Sequence, residues 1–407
     1  MTRFTRAAAA ALLACSLALP GALATAAPAT AVASAPDAPS TRGPAPSAAS
    51  FATPAVTRAV LPAPTGPYSI GSTVVSLVDR SRTDPWVPTA DGRALMVTLH
   101  YPAARAGGGG RPAAYATREE ARLLAAQLGS GVSGDVLART RTHSRTDARP
   151  APGRRPLVLL SPGFGVSRWT LTHLAEDLAS RGFVVASVDH AHESYGISLP
   201  DGRTLTCVAC TALDEGGVHG SVVTSTRAAD MRYVLDRLTG PRPVWRYADD
   251  VIDARRIGMA GHSIGGASAA TAMVADPRVD AGVNMDGAFW EDLPAEGLRG
   301  RPFLMLGTHD DTHRPGGTDA TWDRTWSALD GWKRWITVAG SDHFTFSDGP
   351  VISRHFGLPQ PELPTDRAVT VTRTYVAAFF DRHLRGLPRP LLDGPSPANP
   401  EVHFQHR

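Results

Sequence analysis

A serine between two glycines, in Gly261-His262-Ser263-Ile264-Gly265, is the strongest chemical signal in the sequence. The Gly-x-Ser-x-Gly spacing is typical of a sharp turn between a strand and a helix, which exposes the serine hydroxyl. A neighbouring histidine can take the hydroxyl proton, and a carboxylate can orient that histidine, so we expect Ser263 to attack an acyl carbonyl. An incidental serine in a glycine-rich turn is the alternative, and the surrounding elements must decide between the two.

His343 is the best candidate for the base. In strand-turn-helix sites of this kind the chain order is serine, then acid, then histidine. His343 follows the last predicted strand, in Gly340-Ser341-Asp342-His343-Phe344, on a loop that can reach Ser263. Three rivals also lie C-terminal to the serine: His309, His313 and His355.

The acid has two possible positions. Asp286 follows the predicted strand Val279–Met285, whereas Asp310 and Asp311 follow the next one, Pro302–Leu306. Both positions satisfy the chain order, so the pattern leaves the choice open.

The tetrahedral oxyanion needs two N–H donors, which backbone groups can supply. The N–H of Ile264, directly after the serine, is one candidate. The segment Ser161-Pro162-Gly163-Phe164-Gly165 follows an apolar strand, and the N–H of Phe164 is the second candidate. An ordinary Pro-Gly turn is the alternative interpretation of this segment.

Short apolar runs alternate with helical patterns between Pro156 and Val338, which predicts an α/β fold with a mostly parallel central sheet and helices on both faces. Two earlier alternating strands, Ser72–Val78 and Ala94–Tyr101, predict an antiparallel edge. The predicted core strands are Pro156–Ser161, Gly182–Val188, Arg256–Ala260, Val279–Met285, Pro302–Leu306 and Arg334–Val338. The predicted helices are Arg118–Leu128, Leu171–Arg181, Thr224–Leu238, Ile264–Ala275 and Thr318–Leu329.

Four regions follow from composition. Arg3, Arg6 and an apolar run predict a secretory signal peptide over 1–27, and hence an extracellular protein. Lipoprotein anchoring at Cys15 is a minor alternative. Residues 28–65 are rich in Ala, Pro, Ser and Thr and predict a disordered linker, and 66–407 predict one catalytic domain. Residues 105–155 predict an insertion near the active-site mouth or a surface loop without a role.

Charge and cysteine content narrow the function classes. The formal net charge is +3 and the basic residues are scattered along the 407-residue chain, so we expect no nucleic-acid partner. After signal removal only Cys207 and Cys210 remain, and in an exported protein they predict a disulfide. A zinc site with His190, His192 and His219 lacks a standard spacing. The segment His309–His313 is expected to be an exposed loop, and we expect neither metal nor cofactor.

Several motifs together resemble the plasma-type platelet-activating factor acetylhydrolases of the α/β-hydrolase superfamily. They are Gly66–Gly71, Ser161–Gly165, Leu178–His190, Gly261–Gly266 and Gly340–His343. In that family the acid follows the strand after the nucleophile, so the resemblance favours Asp286 as the acid.

Two departures from the family concern substrate choice. Pro162 replaces a histidine that usually precedes the oxyanion glycine, and Cys207 and Cys210 are not a family feature. The resemblance implies a serine ester hydrolase that releases short sn-2 acyl groups from phospholipids through an acyl-enzyme. Transient contact with a membrane or lipid surface is a further expectation. The alternatives are a broad secreted lipase or carboxylesterase, with polyesters among its candidate substrates, and a catalytically inactive binding protein on the same scaffold. The oligomeric state stays open.

Overall fold

The computed structural model describes residues 58–104, 109–129 and 131–406. A central sheet of ten strands runs through this part of the chain, with a separate two-stranded hairpin. The strands are β1 (Ser69–Asp79), β2 (Arg93–Ala103), β3 (Ser144–Thr146), β4 (Arg155–Ser161), β5 (Val184–His190), β6 (Ile197–Ser198), β7 (Thr204–Leu205), β8 (Ile252–His262), β9 (Ala281–Met285), β10 (Phe303–Thr308), β11 (Lys333–Val338) and β12 (Val402–Phe404). β6 and β7 form the hairpin.

The sheet has the strand order β12-β11-β10-β9-β8-β4-β5-β2-β1-β3. The six strands from β11 to β5 are parallel, while β2 pairs with β5 in the antiparallel sense and β1 pairs with β2 in the same way. Because the parallel strands all end at one edge, the loops that follow β4, β8, β9, β10 and β11 meet there.

Helices cover both faces of the sheet. They are α1 (Arg118–Leu128), α2 (Gly134–Ala138), α3 (Thr172–Ser180), α4 (Val208–Asp214), α5 (Gly220–Thr239), α6 (Ala248–Val251), α7 (Ile264–Ala275), α8 (Ala320–Ala328), α9 (Gly349–Phe356) and α10 (Thr365–Arg385). Leu157 and Leu159 of β4 pack with α5 and α7 on one face, whereas the alternate residues Val158 and Leu160 pack with α3 and α10 on the other. None of the described helices combines the length and hydropathy that a membrane span requires.

This architecture confirms the predicted α/β class, the mostly parallel sheet and its antiparallel N-terminal edge. The predicted elements do not include α9, α10 and β12, which follow the last predicted strand. α10 fills one face of the core, and β12 adds an antiparallel strand beside β11 at the other edge of the sheet.

Part of the predicted linker is ordered. Residues 1–57 lie outside the described residues, and with them the predicted signal peptide, Cys15 and most of the linker. Residues 58–65, in contrast, lie against the domain: Leu61 is buried, and the Thr65 N–H and hydroxyl donate to the Asp177 carboxylate. Arg373 of α10 donates to the carbonyls of Pro62 and Ala63. The ordered domain therefore begins before Gly66, because buried polar contacts outweigh the linker-like composition.

The predicted insertion has structure of its own in its described residues. It contains α1, α2 and the short edge strand β3, which pairs with β1. α1 also packs beside the segment that follows β5: Glu120 accepts a hydrogen bond from the Ser198 N–H, and a Cβ on Gly196 would lie 2.9 Å from the Leu123 side chain. The insertion thus connects the β3 edge of the sheet with the loop after β5. That loop also contacts the predicted oxyanion segment, Ser161–Gly165.

Candidate active site

Ser263 occupies a strained turn between β8 and α7. Its φ is 56° and its ψ is −131°, which a non-glycine residue rarely adopts. The turn needs close backbone approach on both sides of the serine: a Cβ on Gly261 would lie 2.2 Å from the Gly265 carbonyl oxygen, and one on Gly265 would lie 2.3 Å from the Ser161 carbonyl oxygen. The flanking glycines therefore allow the turn that places the serine at the carboxyl end of β8.

Asp286 and His343 meet beside this turn. Asp286 directly follows β9, and His343 begins a short 3₁₀ turn in the loop after β11. The Nδ1 of His343 lies 2.7 Å from Oδ2 of Asp286. The His343 side chain is 39% exposed while that of Asp286 is 1% exposed, so the imidazole can meet a substrate that the carboxylate cannot reach.

Asp286 stays ionised in this buried position. Burial by itself would raise the pKa of the carboxyl, but nearby His313, the hydrogen bond from His343 and the N–H of Thr308 together lower it to about 2. The Thr308 N–H donates to Oδ1 at 2.6 Å, which fixes the carboxylate plane. An ionised, oriented carboxylate of this kind holds a histidine in the tautomer that a base requires.

His262, the residue before the serine, packs against His343 and bonds its backbone. Its Nε2 lies 2.6 Å from the carbonyl oxygen of His343, and the two rings are 4.8 Å apart. Burial lowers the pKa of His262 to about 3, with a further contribution from His343. The neutral ring therefore donates its Nε2–H to the carbonyl and fixes the backbone of the predicted base.

One predicted oxyanion donor, Ile264, follows Ser263 in the chain, and the other, Phe164, belongs to a segment that packs against the serine. Ile264 is the first residue of α7, so its N–H has no acceptor within the helix. Gly163 lies directly against the turn of Ser263: a Cβ added to Gly163 would be 3.5 Å from the Ser263 Cβ. The next N–H, that of Phe164, donates to no other backbone group in the described part of the chain.

A buried ion pair holds the segment Pro162–Gly165. Arg227 of α5 donates to the Pro162 carbonyl at 2.5 Å and to Oε2 of Glu193 at 2.7 Å. The Glu193 carbonyl in turn accepts the N–H of Gly165 at 3.0 Å. The segment is therefore held at both ends through one glutamate, and the Phe164 N–H between those ends takes a fixed direction.

The rival residues lie in other environments. His309 bonds Thr337 and stacks on His403, and neither His309 nor His355 contacts Asp286. The Asp310 side chain accepts three hydrogen bonds from its own loop, and Asp311 is 86% exposed.

The predicted exposed loop His309–His313 is not exposed along its whole length: the His313 side chain is only 10% exposed and lies 3.5 Å from Asp286. Burial against Trp322 and Trp335 explains the difference.

Cys207 and Cys210 form a disulfide at the start of α4, with an S–S distance of 2.09 Å. The N–H of Ala209, between them, donates to the His192 carbonyl, which ties α4 to the loop of Glu193. No group of three or more metal-binding side chains occurs within residues 58–104, 109–129 and 131–406. The disulfide therefore lies next to the loop of Glu193, which holds the segment Pro162–Gly165.

Sequence reasoning does not single out Arg227, Glu193 or a role for His313. Each lies far along the chain from the residue that it supports, and single arginines and glutamates carry no pattern of their own. The supporting residue His262, in contrast, carries a local signal, because it lies inside the Gly-x-Ser-x-Gly pentapeptide.

Comparisons with known proteins now add to this geometry. Residues 55–200 match the family model described as platelet-activating factor acetylhydrolase, isoform II. A probable 1-alkyl-2-acetylglycerophosphocholine esterase from Arthroderma benhamiae is 29% identical over 378 residues, covering 85% of this chain and 93% of the relative. In sequence the chain is therefore similar to the platelet-activating factor acetylhydrolases. A platelet-activating factor acetylhydrolase from Gallus gallus is 24% identical over 59% of this chain and 65% of its own length.

A solved structure is more similar in sequence to this chain than those relatives are. It is a ferulic acid esterase from Streptomyces cinnamoneus, with 48% identity and a TM-score of 0.77, and the match covers 86% of this chain and all of the other. The α/β-hydrolase fold is thereby confirmed. The named relatives are esterases, and this protein is a carboxylic ester hydrolase.

Proposed function

We propose that this esterase works through an acyl-enzyme on Ser263, with His343 as base and Asp286 as the orienting acid. The observation that carries the proposal is the bond of 2.7 Å between the buried Asp286 carboxylate and the half-exposed His343 ring, beside a serine at positive φ. A buried acid, an accessible base and a strained serine are the three components that this chemistry requires.

The proposed reaction has two halves. Nε2 of His343 takes the proton of Ser263 Oγ as that oxygen bonds to the ester carbonyl carbon, and the Phe164 and Ile264 N–H groups donate to the oxyanion. The ester C–O bond then breaks, and His343 returns the proton to the leaving alcohol. Water attacks the acyl-enzyme by the same route and releases the acid and free Ser263, so no cofactor takes part.

For the acyl group we infer an aromatic acid of the ferulic type as the first candidate. The ferulic acid esterase matches at 48% identity over its whole length, a closer relation than the 29% of the phospholipid esterase relative. Two aromatic side chains also flank the site: Phe344, 43% exposed beside His343, and Tyr195, whose ring covers Gly165. Such rings can stack on an aromatic acyl group.

A short sn-2 acyl phospholipid is the second candidate. It is favoured by the family model and by the Arthroderma benhamiae relative, which spans most of the chain. A substrate of this kind lies in a lipid surface, so this candidate includes transient contact with such a surface.

A substrate panel tests both candidates on the mature protein. We would compare kcat/KM for methyl ferulate, a 1-alkyl-2-acetyl phospholipid, tributyrin and an aliphatic polyester. We expect the largest value for methyl ferulate. A larger value for the 2-acetyl phospholipid would replace the first candidate by the second, and preference for tributyrin or the polyester would contradict both in favour of a broad lipase.

A covalent probe tests the acyl-enzyme independently of substrate choice. A fluorophosphonate is expected to add one adduct mass to the wild-type protein, located by peptide mapping at Ser263, and none to Ser263→Ala. Labelling that persists in Ser263→Ala would place the nucleophile elsewhere.

We also propose that the protein is exported. The signal-peptide pattern of 1–27 supports this, and so does a Cys207–Cys210 disulfide, because disulfides persist in oxidising compartments. When the full chain is expressed in a bacterial host, the protein recovered from the culture medium should begin near residue 25 or 28. Retention in the cell with residues 1–27 intact would contradict export, and lipid attached to Cys15 would favour the anchored alternative.

A further inference from the structure

The carboxylate of Asp286 faces a second histidine. Its Oδ2 bonds His343, whereas Nδ1 of His313 lies 3.5 Å from its Oδ1. The same Nδ1 lies 3.0 Å from Oδ1 of Asp310. His313 therefore stands between the two aspartates that the sequence offers as candidate acids.

The surroundings of His313 fix its place. Its carbonyl accepts the indole N–H of Trp335 at 2.8 Å, and its ring meets Trp322 edge-on at 5.0 Å between centroids. Its own N–H donates to the Asp310 carboxylate at 2.9 Å. The ring contact with Trp322 and the two backbone hydrogen bonds restrict His313 to its place beside Asp286.

Three carboxylates face His313, while Arg314, the next residue, donates to the Asp310 carbonyl and pairs with the Asp311 carboxylate. Asp286 faces His313 from the end of β9, Asp310 from its own loop, and Asp319 from the N-terminus of α8. Trp322 of α8 and Trp335 of β11 are uncharged neighbours. Burial would lower the pKa of His313, but these carboxylates outweigh burial and raise it above the ordinary value. A cation is thus favoured beside the acid that orients His343.

We propose that His313 is a positioning residue of the site: it shares the Asp286 carboxylate with His343 and thereby limits how strongly that carboxylate stabilises the His343 imidazolium. This inference rests on the proposed function, in which Asp286 orients His343. A base that is protonated too readily is inactive at mildly acid pH, so a second cation on the carboxylate extends activity towards lower pH.

The test is the pH profile of kcat/KM on a p-nitrophenyl ester for the wild type and His313→Gln. Glutamine keeps a hydrogen-bond donor but cannot carry charge. We expect the acid limb of the profile to move upward by about half a pH unit or more, because Asp286 then serves His343 alone. The rate on the alkaline plateau should change less than the rate at pH 5.5.

His309→Gln is the matched control, because it removes a histidine from the same loop that bonds Thr337 and does not touch Asp286. Its profile should follow that of the wild type. Superimposable profiles for His313→Gln and the wild type, with Ser263→Ala inactive, would overturn the role of His313 and leave the proposed function standing. Full activity in Ser263→Ala would overturn the proposed function instead.

A second measurement covers the case in which His313→Gln does not fold. In the wild-type protein labelled with ¹³C at histidine Cε1, the His313 signal should titrate above the range of an ordinary histidine. Titration below that range would show a neutral ring beside Asp286 and would contradict the proposal.

Discussion

Two sets of serine, histidine and aspartate side chains occur in the described part of the chain. One is Ser263 with Asp286 and His343. In the other, Ser161 Oγ lies 3.0 Å from Nε2 of His190, and Nδ1 of His190 lies 2.8 Å from Asp230. By residue type and hydrogen bonding the second set satisfies the requirements for a catalytic triad.

The two sets differ in access and in electrostatics. Ser161, His190 and Asp230 are each at most 2% exposed, whereas His343 has a side chain that is 39% exposed. Burial lowers the pKa of His190, so its ring resists the proton that a base must accept. Ser161 also continues a regular strand, while Ser263 is held at positive φ.

The buried set has a structural use. Arg227 donates to Ser161 Oγ at 3.2 Å as well as to the Pro162 carbonyl, and Arg93 joins Asp230 to Glu193. The buried set is thus the inner end of the network that holds the oxyanion segment. The comparison teaches that residue types define a candidate triad, whereas solvent access and backbone strain distinguish the two sets.

The largest expected difference separates the two serines. Ser263→Ala should lower kcat/KM by about 10⁴-fold or more, because it removes the nucleophile. Ser161→Ala should keep most of its activity and lose about 1–3 kcal/mol of stability, because it leaves buried partners of the hydroxyl unpaired. Ester hydrolysis and urea unfolding measure the two effects. Loss of activity in a folded Ser161→Ala protein would break the comparison.

The aspartates should differ almost as much. Asp286→Asn is expected to lower kcat by about 10⁴-fold, because an amide favours the wrong tautomer of His343. Asp310→Asn, at a side chain that is 42% exposed, is the matched control and should stay close to the wild type on the alkaline plateau. A collapse of kcat in Asp310→Asn alone would assign the acid to that position.

A smaller effect is expected at the support of the oxyanion segment. Arg227→Met should lower kcat by about ten- to a hundredfold with less change in KM, because a loosened Phe164 N–H loses part of the stabilisation that an oxyanion donor gives. Binding of a trifluoromethyl ketone, which forms the tetrahedral adduct, should weaken in parallel. Arg122→Met, at a surface pair with Glu119, serves as the control. An unchanged affinity for the ketone would leave Arg227 with a role in stability only.

The last prediction concerns stability alone. Burial would raise the pKa of Asp230, but Arg93, His190 and Arg82 hold this pKa well below the ordinary value for an aspartate. The stability from this carboxylate is therefore fully present above about pH 5 and is lost as pH falls below about 4. Asp230→Asn should cost about 3–5 kcal/mol at pH 7, and the difference from the wild type should shrink on acidification.

Urea unfolding at a series of pH values measures this difference. Asp91→Asn, at a surface pair in which Asp91 is 84% exposed, should show almost no cost at any pH. A cost in Asp230→Asn that does not vary with pH would contradict the charged state of Asp230.

Much of the fold follows from local pattern. The bounds of α1 and α7 agree with the predicted Arg118–Leu128 and Ile264–Ala275, because helical periodicity and the strand-to-helix glycines act over a few residues. The predicted core strands agree with β4 and β8–β11 to within a few residues. Residues 58–65 do not follow their composition, because contacts with Asp177 and Arg373 order them.

The sequence by itself determined the elbow around Ser263, the sheet that positions it and the candidate base His343, since each depends on neighbours along the chain. Only the tertiary structure decided which aspartate meets His343, because Asp286 and Asp310 both follow parallel strands that end at the same edge of the sheet. The tertiary structure also set the second Ser-His-Asp group apart from the first. Burial and access arise from packing between distant segments, and no local spacing encodes them.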